Sequence, residues 1–158
     1  MLDALTSSNR WAKGIVLLAI AVCCLTSALA DNGAAVETLK ARLSSASIGD
    51  RPHLCLQIAQ QQLVLTDKQY AAGETEKARA SLADVVAFAE LAGDYSIQSR
   101  KHQKQTEISV RTMARKLGDI KHAVPYDEQP TVQNAIQRLE RVRDDLLVAM
   151  FPKGKGGK

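Results

Sequence analysis

Counting from Ala78 in alternating steps of four and three residues touches Ala78, Leu82, Val85, Ala89, Ala92, Ser96, Ser99, Gln103, Thr106, Val110, Met113, Leu117, Ile120 and Val124. The ends of this series are apolar, its middle is small and polar, and its phase never slips. Such steps keep residues on one face of an α-helix. The pattern therefore predicts a single helix over residues 75–123, about 73 Å long. Gly93, in "AGD", is where that helix could instead break, giving two ordinary helices and a compact bundle. Val124 stands before Pro125, which pushes it out of the helical region and ends the run.

The flanking segments read as shorter helices. Asp50 and Pro52 mark a helix start, and Gly73 in "AAGET" suits a left-handed stop, so a helix is expected over residues 52–72. Its apolar positions fall on two edges, Leu54, Ile58 and Leu65 on one and Leu56, Ala59, Leu63 and Tyr70 on the other. A face that wide requires more than one partner helix. Val132, Ala135, Leu139, Val142, Leu146 and Ala149 form the stripe of a last helix over residues 130–150. Strand-like alternation is absent, and Ala, Gln, Leu, Glu, Lys and Arg dominate. The expected fold is all-α, a long central helix with a shorter helix folded back on each half. The middle of the long helix, "IQSRKHQKQTE" over residues 97–107, would be a partly wet waist.

The N-terminus reads as an address. Arg10 and Lys13 precede an apolar run, Ile15 to Leu25, and Ala28 and Ala30 sit at the −3 and −1 positions of a cleavage site. Residues 1–30 are expected to be a cleavable signal peptide, cut between Ala30 and Asp31. That run is shorter than the ~20 residues a bilayer span needs, so no transmembrane segment is expected in the mature chain. The protein is then exported, periplasmic or extracellular. Residues 31–51 form a poorly ordered segment or a short helix through Val36, Leu39 and Leu43. Residues 52–152 are the helical domain, and residues 153–158 are a disordered Lys/Gly-rich tail. Cleavage removes Cys23 and Cys24. Cys55 then has no partner for an intramolecular disulfide, and its apolar neighbours in "HLCLQIA" predict burial.

Charge is segregated along the chain more than it is in excess. Residues 100–122 hold seven basic and two acidic residues, a net +5, whereas residues 31–99 carry −3 and residues 124–152 carry −2. On a continuous helix Arg100, Lys104, Arg111, Arg115 and His122 share a narrow arc, a cationic ridge about 33 Å long. Its partner would be an anionic envelope polymer, a lipid surface or an acidic protein. No aromatic interleaves the ridge, so base stacking is unsupported and nucleic acid is disfavoured. Phe88, Leu91 and Tyr95 lie off the main seam and form a second apolar strip, a candidate surface for self-association into a dimer or for intramolecular packing.

No cofactor or metal site is expected. His53 and Cys55 are two residues apart at a helix start and point differently, and Asp119 and His122 share a face with no third ligand. No Gly-rich phosphate loop or nucleophile elbow is present, so no catalytic residues are assigned.

Tyr70, Gly73, Ala78 and Leu82, within residues 67–89, have the spacing found around the turn of a tetratricopeptide repeat, which this stretch resembles. The resemblance implies one helical hairpin and a role in protein interaction. It implies no solenoid, because no second copy follows. The sequence thus favours an exported, non-catalytic helical interaction or scaffold module of a bacterial envelope, self-associating. The alternative is an envelope binding or chaperone-like protein that engages anionic ligands through the ridge of residues 100–122.

Overall fold

A computed structural model describes residues 33–152. The core lies within the unit that begins at Val36. The signal peptide with Cys23 and Cys24, and the tail from Lys153, lie outside the described residues.

The described chain is all helical. A helix over residues 33–45 (α1) is followed by α2 (Arg51–Ala71), α3 (Thr75–Ser99), α4 (Gln103–Ala123) and α5 (Gln129–Met150). Pro52 and Pro130 sit in first turns, where a missing N–H is harmless. Gly73 takes a left-handed φ of 73° between α2 and α3, as its position after the helix predicts.

Specific pairs fix the topology. Gln62 reaches Asp84 across the α2/α3 hairpin, and Lys121 and Glu107 reach Gln133 and Arg143 across the antiparallel α4/α5 hairpin. Arg79 meets Glu128 and Arg138 meets Glu90, so α3 and α5 run parallel. Two hairpins thus pack into an up-down-up-down bundle, with α3 on α5 as the main seam between them.

The expected continuous helix over residues 75–123 is two helices. The break is not at Gly93, which lies inside α3, but at residues 100–102, where Arg100 (φ 54°) and His102 (φ 60°) are both left-handed. The chain then reverses, and the Ser96 and Thr106 hydroxyls, both fully buried, hydrogen-bond at 2.7 Å across the fold-back. On one straight helix those residues would stand about 15 Å apart. The unbroken register has a different cause. A hairpin returns the same face to the core, so Ala78–Ser96 and Thr106–Val124 line one interior from opposite directions. The polar waist is the buried hydroxyl pair where they meet.

The wide face of α2 has two partners, as its breadth requires. Cys55, Leu56, Ala59 and Leu63 enter the main core, shared with Val85, Val110, Leu117, Leu139 and Leu146. Leu54 and Ile58 form a second cluster with Val36 and Leu39 of α1. Residues 33–45 are therefore the short helix that Val36, Leu39 and Leu43 predict, held by its apolar stripe.

Cys55 is free and fully buried. Burial pushes its thiol up to about 11 from 9.0, against the opposing charge of Arg51. Two outcomes follow. In mass-resolved alkylation of the native chain, Cys55 reacts only as fast as the bundle opens. The folded thiol also keeps its proton while the unfolded one loses it, so stability falls as pH rises between 9 and 11. Denaturant titrations across that window check the sign. A Cys55→Ala chain should show a shallower decline.

Candidate functional site

One end of the bundle collects the turn between α1 and α2, the turn between α3 and α4, and the end of α5. Arg51 organises it. Its Nε donates to the Ala46 carbonyl at 3.1 Å, and its guanidinium lies 5.3 Å from the Tyr95 ring centre. That cation–π contact fastens the turn before α2 to α3. The two turns touch each other. A Cβ on Gly49 would stand 3.1 Å from Lys101 Cδ and 3.3 Å from its Nζ, so the exposed lysine side chain lies along that glycine to its end. Arg42, His53 and His102 line a groove beside it with Ser45, Asp50 and Leu54. Asp50 does not cap α2 with its side chain. It accepts a 2.7 Å hydrogen bond from the Ser47 hydroxyl.

Elsewhere on the bundle many cations are paired with carboxylates. Lys77 meets Glu74, Lys116 meets Asp67, Arg138 meets Glu90, and Arg111 and Arg143 both meet Glu107. At this pole Arg42, Arg100, Lys101 and Lys104 are exposed and form no ion pair among the described residues. Helix dipoles do not decide the sign here. Two helices start at this end and three finish, so their partial charges largely offset. Arg42, Arg100, Lys101 and Lys104 there outnumber the exposed Asp50 carboxylate that lines the same groove.

The ridge expected from sequence is rearranged. Lys104, Arg111, Arg115 and His122 remain exposed on α4, but Arg100 leaves the helix for the turn, and Arg111 is held by Glu107 at 3.4 Å. The fold instead brings Arg42 and His53 to His102 in one groove, Lys101 to Gly49 of the α1–α2 turn, and Lys104 to a neighbouring groove that His102 also lines. The "RKH" run at residues 100–102 was visible in the sequence. Arg42 and His53 carried no signal, because only the α1–α2 turn places them there.

The apolar strip is also divided. Phe88 packs against both core clusters under Lys40, and Tyr95 packs on the main core under Arg51. Leu91 is 37% exposed. Two of the three residues are thus covered by their own chain.

The opposite pole holds a buried network. Arg79 and Tyr70 both bond the carboxylate of Glu128, which is 1% exposed. The Arg79 hydrogen bonds hold the Glu128 carboxyl below its usual range, against the opposing effect of burial. Burial and the neighbouring Glu128 charge push Tyr70 up to about 12. The three residues join the end of α2, the start of α3 and the α4–α5 turn, which is a fastening of the fold.

Among the described residues no three His, Cys, Asp or Glu side chains gather as metal ligands, and no helix is long and apolar enough to cross a membrane. His53 is exposed while Cys55 is buried, so they face apart. No family model, curated protein or solved structure matches the chain.

Proposed function

We propose that the protein is a non-catalytic helical binding module of the cell envelope that engages an anionic partner through the basic pole formed by Arg42, Arg100, Lys101 and Lys104. The observation that carries this reading is the backbone at Arg100. A left-handed residue at a helix end is ordinarily Gly, because any side chain costs about 1 kcal/mol there. This chain places an unpaired arginine at that position, and two residues later a histidine in the same conformation. Many of its other cations are tied into ion pairs. Stability is relinquished at a point where exposed positive charge is gained, a pattern associated with functional segments. Covering of Phe88 and Tyr95 by the chain itself favours this reading over self-association through that strip.

Arg100→Gly separates the two roles. It should raise unfolding stability by about 1 kcal/mol while weakening retention on an immobilised polyanion about fivefold, the effect of one charge near an anionic surface. Retention should fall steeply with salt. A more stable variant that binds as well as the parent would refute the assignment and leave Arg100 without a role in binding.

A further inference from the structure

The basic pole also carries exposed apolar side chains, and their placement defines a kind of partner. Ile48, in the α1–α2 turn beside the Gly49–Lys101 contact, is 43% exposed. Phe151 is 72% exposed. It closes the last turn of α5, its N–H bonding the Leu147 carbonyl at 2.9 Å, directly after Met150, which lines a groove with His102 and Lys104. A lone exposed apolar residue needs no explanation. These two flank the unpaired cations at one end of the bundle, and after Phe151 the sequence continues with Lys153 and Lys155. Basic residues interleaved with protruding Phe or Ile suit the interface of an anionic bilayer, where charge meets headgroup phosphates and the apolar side chains enter the acyl boundary. A soluble polyanion would use the charge and gain nothing from Ile48 and Phe151.

Resting on the reading of the pole as an anion-binding surface, we infer that its partner is an anionic lipid bilayer, met end-on, with Lys101 and Lys104 at the phosphates and Ile48 and Phe151 in the interface. The contact is peripheral, because charge and two shallow side chains supply it.

The test uses the full chain carrying Trp11→Phe and Phe151→Trp, so that the introduced indole reports on the pole alone. This matters because the apolar run Ile15 to Leu25 can itself enter lipid. The probes are phosphatidylcholine vesicles with and without phosphatidylglycerol, and heparin in solution. The expected result is a blue shift of the indole emission with phosphatidylglycerol vesicles only. Lys101→Glu with Lys104→Glu should abolish that shift, which reads contact of the pole with the bilayer and not attachment of the chain through its N-terminal run. An equal shift with phosphatidylcholine would overturn the charge-led contact. Heparin binding that depends on Lys101 and Lys104, with no shift on either vesicle, would overturn the bilayer inference and leave the anion-binding reading standing. No binding to heparin or vesicles would overturn both.

Discussion

Glu128→Ala should lower the unfolding free energy by about 2 kcal/mol at neutral pH, the range for hydrogen bonds to a charged partner. The substitution removes the acceptor of Arg79 and Tyr70 together and unties the two hairpins at the pole opposite the cations. Loss of one partner of a buried ion pair commonly costs about 3–5 kcal/mol, because the other charge is stranded. That larger figure does not apply, since the Arg79 side chain is 43% exposed and its guanidinium returns to water. Glu128→Gln should fall between parent and Ala, because its amide oxygen still accepts one hydrogen bond. The pH dependence has a fixed sign. The folded carboxyl lies below its ordinary 4.5, so its contribution is complete above that pH and disappears as pH falls through the lower folded value. Urea titrations of parent and Glu128→Ala should therefore converge in acid. A constant gap down to the lowest pH would show that the carboxylate charge does not hold the hairpins.

How far the sequence spoke can be judged at single residues. Every apolar member of the Ala78–Val124 register is buried, and so are Ser96 and Thr106. The stripe of α5 is buried from Val132 to Leu146, and the two edges of α2 found the two partners they require. Periodicity reports which face of a helix is covered, and it did so here. It does not report whether the helix continues, because a hairpin that folds back with the same face inward preserves phase. The usual sign of a stop, Gly at the left-handed position, was missing: Arg100 and His102 occupy it. Gly93, the one glycine between residues 75 and 117, marks no break. It permits close helix approach and stays helical throughout.

The same limit applied to the sites. Arg79 and Glu128 are 49 residues apart in sequence, and no local pattern pairs them. Arg42 and His53 reach the basic pole only through the turn at residues 46–50. Local signals gave the cationic run at residues 100–104. The fold alone turned it from one side of a rod into one end of a bundle.

Gly93→Ala should destabilise the protein even though alanine is the better helix former. A Cβ at residue 93 would lie 2.7 Å from Val142 Cγ1, too near for any carbon pair to rest. Val142 cannot swing aside, because its β-branched side chain has one favoured rotamer in a helix. Relief then requires α3 and α5 to separate along the seam that joins the hairpins. Overpacking of this kind costs about 1–3 kcal/mol. The helix-propensity gain of about 1 kcal/mol offsets part of it, which leaves a net loss of about 1 kcal/mol. Val142→Ala alone should cost a similar amount through the cavity it opens. The double variant makes room for the new methyl and keeps the propensity gain, so it should be about 1 kcal/mol more stable than Val142→Ala alone. The coupling across the cycle is then about 2 kcal/mol and of opposite sign to the single losses. Denaturant unfolding of the four chains measures it. Additive losses would mean that α3 and α5 do not approach at Gly93, and the parallel seam between the hairpins would have to be drawn elsewhere.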